Sequence, residues 1–218
     1  SSMTAFNREA AALNFLGERV KRDYMDIASV GCSNGMQVYS LLVENWHNVN
    51  NVSIDGYDTN PAAVALAREG IYLINDQSHE RKWLEKSDYE GELFHLKENG
   101  GSEVEVRFDD DLKNRLNFQV HDITDCRLPQ TYDAVLATNI LYHYPHHGRK
   151  VILDKIRESL NSRGLLICES LAGHIPKEYT DWMKDISDYG FKKQRVVTSH
   201  KGREINLSGQ TRIYRKDE

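Results

Sequence analysis

The feature that most constrains this chain is an abrupt change of hydrophobic period between residues 25 and 45. A short apolar run, Met25-Asp26-Ile27-Ala28-Ser29-Val30, passes directly into Gly31-Cys32-Ser33-Asn34-Gly35, and beyond it Val38, Leu41 and Leu42 recur at helical spacing. The order is therefore strand, glycine turn, helix. The alternation then repeats. Residues 52–57 read as a strand ending in Asp58, and Asn60 caps a helix that has Pro61 at its first position. Residues 117–120 form a strand ending in His121-Asp122, residues 132–137 one ending in Thr138-Asn139, residues 149–160 a helix, and residues 164–168 a strand ending in Glu169. An amphipathic helix over residues 5–22, with Phe6, Ala10, Leu13, Leu16 and Val20 on one face, precedes them all. Strands alternating with helices predict an α/β fold, a doubly wound and mostly parallel sheet covered on both faces. A helix over residues 179–189 and strands at 194–198 and 211–214 follow, the last two read as an antiparallel hairpin across Lys201-Gly202.

Between residues 71 and 116 this regularity lapses. Trp83, Tyr89 and Phe94 lie among charged residues, Asn99-Gly100-Gly101 marks a tight turn, and Val104-Glu105-Val106-Arg107-Phe108 alternates with period two. We read this stretch as an insertion carrying a β-hairpin over residues 93–108. With 218 residues, 39% of them hydrophobic, a single domain over residues 1–218 is expected. No run approaches the roughly 20 apolar residues of a membrane helix, and Ser1-Ser2-Met3 opens no secretory signal. Three scattered cysteines, Cys32, Cys126 and Cys168, fit a reducing compartment, and the cytoplasm is the expected location. Against a net charge of −5, residues 192–218 carry eight basic and three acidic side chains. RNA is weighed as a partner for that stretch, and a solvated strand edge is the preferred reading.

Ligands of doubly wound sheets bind at the carboxyl ends of the strands, where the strand order reverses. Gly31 to Gly35, Asp58, Asp122 and Asn139 all fall at such ends, and so they should converge. A glycine turn admits a ligand close to the backbone and offers it the free N–H groups of a helix start. Asp58, 23 residues beyond Gly35, is spaced to accept from ribose hydroxyls. Dinucleotides and S-adenosylmethionine share this layout. Ser33 stands where the dinucleotide fingerprint needs its second glycine, which leaves no room for a pyrophosphate and favours the methyl donor. Asp122 is placed to accept from an adenine amino group.

These residues also carry a resemblance. The run Ser29-Val30-Gly31-Cys32-Ser33-Asn34-Gly35-Met36-Gln37-Val38-Tyr39-Ser40, then Gly56-Tyr57-Asp58-Thr59-Asn60 and Ala65-Leu66-Ala67-Arg68-Glu69-Gly70-Ile71-Tyr72, is similar to the catalytic domain of the CheR family of chemotaxis receptor glutamate methyltransferases. The likeness continues through Leu116-Asn117-Phe118, through Tyr132-Asp133-Ala134-Val135 to Asn139, and to Gly209-Gln210-Thr211. It implies the seven-stranded, Rossmann-like class I methyltransferase fold, S-adenosylmethionine as methyl donor with S-adenosylhomocysteine as product, and donor contacts at Gly31, Ser33, Asp58, Asp122 and Asn139. Cys32, Gly35, Gln37, Thr59 and Ile123 complete the candidate donor-binding set. It also implies that the 93–108 hairpin is where a protein or peptide acceptor docks. Two departures stand out. Met36-Gln37-Val38 replaces the family's two glutamates and proline, and His143 takes the position of its active-site tyrosine.

His143 and Tyr142, just past the strand end at Asn139, are the candidate catalytic residues. Transfer to an alcohol, phenol or ammonium needs a base, for which His143 is the nominee, whereas transfer to a carboxylate needs none. Other readings carry less. Gly31-Cys32-Ser33-Asn34-Gly35 fits a hydrolase nucleophile elbow, but only one strand precedes it. His143, His146 and His147 have no carboxylate partners for a metal nearby, so none is expected. Cys32 is a reactive thiol or a small turn residue, and the resemblance favours the turn. The expectation is a methyltransferase acting on an oxygen nucleophile such as a protein glutamate. A small-molecule acceptor, RNA, or an inactive S-adenosylmethionine-binding module are the alternatives, and no membrane partner is expected.

Overall fold

The computed structural model describes residues 5–6, 10–138, 140–169, 186, 190–193, 197–200, 203–206 and 211–216, with backbone alone for residues 10–11, 169, 193, 197–200, 203–206 and 211–212. Helix α1 (Ala10–Val20) leads into β1 (Met25–Val30), α2 (Met36–Glu44), β2 (Val52–Asp58) and α3 (Pro61–Glu69). The insertion contributes β3 (Ile71–Asn75), α4 (His79–Glu85), β4 (Phe94–Glu98), β5 (Glu103–Phe108) and α5 (Asp110–Lys113). Then come β6 (Leu116–Val120), β7 (Tyr132–Leu136), α6 (His146–Glu158), β8 (Leu160–Glu169), β9 (Phe191–Lys193), β10 (Val197–His200), β11 (Arg203–Asn206) and β12 (Thr211–Lys216).

Seven strands form the main sheet in the order β6-β2-β1-β7-β8-β12-β9. Pairing is parallel from β6 to β8, and β12 runs antiparallel between β8 and β9. The order reverses between β1 and β7, and the carboxyl ends of these strands are where ligands of doubly wound sheets bind. The central strands have no solvated face: Ile27, Ala28, Ala134 and Val135 are fully buried. One face packs against α1, α2 and the insertion through Leu13, Leu16, Leu41 and Ile54, and the other against α6 through Ile152, Leu153 and Ile156. Asn60 caps α3 as expected, its Oδ1 accepting from the N–H groups of Ala62 and Ala63.

Three details correct the sequence reading. The insertion is a three-stranded antiparallel sheet, β3-β5-β4, and not a hairpin alone. Its third strand is hard to see in sequence because Ile71-Tyr72-Leu73-Ile74 reads as an unbroken apolar run, although Tyr72 and Ile74 are buried while Leu73 faces solvent. Strand β8 starts at Leu160 and not at 164: the register shift between Tyr132–Leu160 and Ala134–Leu165 absorbs the turn-like residues between, with Arg163 left-handed at φ 63°. The segments flanking residues 201–202 do pair antiparallel, but they are β10 and β11, a separate two-stranded sheet, and β12 pairs with β8 and β9 instead. The expected helix over residues 179–189, except 186, lies outside the described residues, as do Trp182, Asn139, Gly209 and Gln210.

A buried polar cluster closes the α6 face of β2. Tyr57 and Tyr132 meet hydroxyl to hydroxyl at 2.6 Å, and both donate to Asp55 Oδ2, which also accepts from Gln130 Nε2 at 3.2 Å. Asn117 Nδ2 donates to Asp55 Oδ1 at 3.1 Å. A buried carboxylate is tolerated here because it is hydrogen-bonded on both oxygens. Burial pushes the Tyr57 hydroxyl up to about 12, and burial together with the Asp55 carboxylate pushes Tyr132 up as well. Because both folded values lie above the free-tyrosine value, this stability is complete below about pH 10 and is lost as pH rises through the folded values. Urea denaturation should give a stability flat from pH 7 to 9 and falling above 10. Tyr132→Phe should cost about 1–2 kcal/mol at pH 7 and flatten that alkaline decline.

Candidate functional site

The turn after β1 is built from left-handed backbone. Gly31 has φ 68°, Ser33 φ 53° and Gly35 φ 84°. A Cβ on Gly35 would stand 2.9 Å from both Ala67 Cβ and the Phe118 ring, so this position seats α2 against α3 and β6. A Cβ on Gly31 would stand 3.3 Å from Ile140, which brings the turn after β1 against the loop after β7. Cys32 lies beneath the turn: its N–H donates to Tyr57 O at 3.0 Å, and burial pushes its thiol pKa well up. It is a space-filling turn residue and not a reactive thiol.

Asp58 fixes the turn. Its Oδ2 accepts from the Ser33 N–H at 2.7 Å and its Oδ1 from the Asn60 N–H at 2.9 Å, which ties the turn after β1 to the start of α3. A carboxylate has about four lone-pair positions, so these two bonds leave capacity for a pair of ligand hydroxyls. Thr59 is exposed beside it. At the end of β6, Asp122 Oδ1 accepts from both the N–H and the hydroxyl of Thr124, at 2.8 and 2.7 Å, and Ile123 is buried next to it. Tyr57 packs edge-on to His121 at 5.4 Å, lining the same side.

Gln37 lies in the first turn of α2 and is only 8% exposed. Its Oε1 accepts from the Thr138 hydroxyl at 2.8 Å, and its buried Nε2 has no hydrogen-bond partner among the described residues. Thr138 stands just past the end of β7, so this pair bridges the two strand ends at which the sheet order reverses. In sequence Thr138 marked only the end of a strand, since a threonine there has no pattern that announces a partner on α2.

The loop after β7 sorts its residues by depth. His143 is exposed and its ring lies against Tyr142, centroids 3.9 Å apart. Tyr144 is half-buried against the α6-side core. Burial raises its hydroxyl pKa, and the carboxylates of Asp122 and Asp58 raise it further. Buried Arg149 donates to the Tyr144 carbonyl at 2.9 Å and pins the loop to α6. Tyr144, and not only its neighbours, therefore feels the carboxylates of the candidate donor site. Among the described residues no group of three or more His, Cys, Asp or Glu is placed to hold a metal ion, and no helix is long and apolar enough to cross a membrane.

The insertion reaches the same turn. Tyr72, on β3, donates from its hydroxyl to the Asn34 carbonyl at 2.6 Å. Trp83, on α4, donates to Glu44 Oε1 at 2.7 Å at the far end of α2, and Trp46 to Glu92 Oε1 at 3.1 Å. Trp46 and Trp83 are thus anchors between insertion and main sheet.

Comparison with known proteins bears on these strand ends. The family model described as "CheR methyltransferase, SAM binding domain" matches residues 2–181. No curated protein matches the sequence. Among solved structures, magnesium protoporphyrin IX methyltransferase (ChlM) from Synechocystis PCC 6803 with bound SAM superposes with TM-score 0.52 at 16% identity, over 95% of this chain and 79% of that one. N-methyltransferase NodS from Bradyrhizobium japonicum WM9 in complex with S-adenosyl-L-homocysteine gives TM-score 0.55 at 11% identity, over 100% of this chain and 90% of that one. A TehB-like SAM-dependent methyltransferase from Corynebacterium glutamicum ATCC 13032 gives 0.55 at 13%, over 95% and 92%. At these identities the likeness is one of fold.

The left-handed turn and the spare acceptor capacity of Asp58 together fit S-adenosylmethionine. Asp58→Ala should weaken its binding at least about 10-fold, since hydrogen bonds to a charged group are lost, and should cost about 1–3 kcal/mol of folding stability by freeing the Ser33 N–H. Calorimetric titration and chemical denaturation of the same variant check both.

Proposed function

The chain belongs to the CheR methyltransferase family through its S-adenosylmethionine-binding domain, and on that ground we propose that this S-adenosylmethionine-dependent methyltransferase esterifies a carboxylate, first of all a glutamate side chain of a protein or peptide. S-adenosylmethionine, when bound, supplies a methyl group on a sulfonium, open to in-line displacement by a lone pair. Gly31, Ser33, Gly35, Gln37, Asp58, Asp122 and Asn139 are the residues assigned to holding it, with Cys32, Thr59 and Ile123 shaping the walls. The chain's task is then to orient the acceptor, exclude water and hold protons where they are needed.

The observation that carries the acceptor class is the state of the groups around the mouth. Burial and the Asp122 and Asp58 carboxylates keep Tyr144 a phenol, a hydrogen-bond donor and not a base. His143 lies out in solvent. Asp58 already accepts from the Ser33 and Asn60 N–H groups, and Asp122 from the Thr124 N–H. With no base placed among the described residues, the nucleophile used here is one that needs no proton removed: a carboxylate is already ionised at neutral pH, whereas an alcohol must lose its proton and an ammonium has no lone pair until it does. His143 and Tyr142, at the rim, meet the acceptor and position it, and Tyr144 donates behind them. The β4–β5 hairpin is the docking element for the surrounding peptide, a reading supported by the Tyr72–Asn34 bond that joins the insertion to the donor turn.

Acidic peptides and free dicarboxylates incubated with methyl-labelled donor test this. Label should enter the peptides as a base-labile ester, and kcat/KM should rise through about pH 4 as the acceptor ionises and then stay level from 6 to 8. His143→Phe should raise KM several-fold with little change in kcat. Base-stable label, or a kcat loss of about 100-fold in His143→Phe with a rate limb near 6.5 in the parent enzyme, would contradict a carboxylate acceptor.

A further inference from the structure

The basic stretch over residues 192–218 has no part in donor binding, and the fold sets one of its arginines beside another from α1. Arg215, on β12, stands across from Leu165 of β8 and from Lys192 of β9. Residues paired directly across strands share a face of the sheet. Leu165 belongs to the core that holds Leu13 and Leu16 of α1, so Arg215 projects on the α1 side. It also lies away from the donor turn, since the carboxyl end of β8, at Glu169, meets the opposite end of β12, at Thr211. Arg19, in the last turn of α1, holds its guanidinium 5.0 Å from the centroid of the Phe15 ring. Both arginines are half-buried. The Nε of each is buried with no hydrogen-bond partner among the described residues, and no carboxylate among those residues forms an ion pair with either. Burial, and next the charge of Arg215, hold the Arg19 guanidinium below its ordinary pKa; Asp23 acts against them and Arg22 with them. Two like charges thus stand together, their stems fixed by packing and their outer N–H groups unmatched.

We propose that Arg19 and Arg215, with Lys192 across from Arg215, form a binding site for a phosphate group on the α1 side of β12. A guanidinium presents its N–H groups as a rigid planar fork that matches phosphate oxygens two at a time. A carboxylate would neutralise one of the two arginines. A phosphate monoester, with a charge of about −1.5 to −2 at pH 7, offsets both and has oxygens for both forks. Like charges drawn partly out of water repel more strongly than exposed ones, so a dianion bound between them relieves a cost that the empty pair carries. None of the three residues is assigned to donor or acceptor, and the proposal stands independently of the methyl-transfer reading.

Inorganic phosphate, glycerol phosphate and acetate, titrated calorimetrically into the whole chain at constant ionic strength, test it. Phosphate should saturate one site and bind at least about 10-fold more tightly than acetate, the scale of one added charge-assisted hydrogen bond. Arg19→Gln and Arg215→Gln should each lose at least about 10-fold in phosphate affinity, and Arg215→Lys, which keeps the charge and loses the fork, should fall between them and the parent. Phosphate should raise the urea midpoint of the parent and leave that of either Gln variant where it was. Glycerol phosphate that binds as well as phosphate supports a monoester as the ligand; glycerol phosphate that is excluded supports free phosphate. S-adenosylhomocysteine should bind the parent and the variants alike, which shows that each variant is folded and that the two sites are separate. Phosphate that does not saturate, that binds no better than acetate, or that binds both Gln variants as it binds the parent overturns the proposal and leaves the donor-binding reading untouched.

Discussion

Asp58 makes the hydrogen bonds on which the rest of the site depends. A left-handed non-glycine residue such as Ser33 is an unfavourable backbone state, and the 2.7 Å bond from its N–H to Asp58 Oδ2 offsets that cost. The other oxygen of the same carboxylate holds the Asn60 N–H and so the start of α3. One side chain at the end of β2 therefore sets the turn after β1 and the entry to the next helix. The parallel pairing of β1 with β2, in register from Met25–Val52 to Val30–Tyr57, delivers Asp58 to that spot.

The insertion is joined to this arrangement through aromatic packing. Tyr39, in the middle of α2, stacks on Phe108 of β5 at 4.3 Å, meets Tyr72 of β3 edge-on at 5.8 Å and reaches Phe118 of β6 at 5.8 Å. Its hydroxyl donates to Ala67 O at 2.9 Å, and burial pushes its pKa up. Phe6 covers the cluster from the N-terminal side against Tyr72, Trp83 and Phe108. The insertion thus shares its core with the helix whose first turn borders the donor turn. The Tyr72–Asn34 bond extends that shared core to the turn itself. An acceptor docked on the insertion would act on a surface that shares its core with the proposed donor site, which suits a reaction whose rate rests on alignment.

The elements around the crevice were legible in the sequence because each has a local cause: the period change at Gly31 to Gly35, the Asn60-Pro61 helix start, and acids that end strands. What was not legible depends on long-range contact. Strand β3 did not stand out as a strand because its alternation is one of burial and not of residue type. The pairing of β12 between β8 and β9 is a matter of topology that no local pattern announces. Thr138 gained its meaning only when 101 residues of separation from Gln37 closed to a hydrogen bond. Tyr144 was passed over for His143 because sequence position alone cannot tell a half-buried ring from an exposed one.

The central claim is that donor binds where β1 and β7 part, with its ribose on Asp58. A crystal structure of the chain with S-adenosylhomocysteine tests it most directly. The account predicts both ribose hydroxyls within hydrogen-bond distance of the Asp58 carboxylate, with the Ser33 and Asn60 bonds to that carboxylate retained. Ligand bound elsewhere, or a ribose that leaves Asp58 untouched, would contradict it.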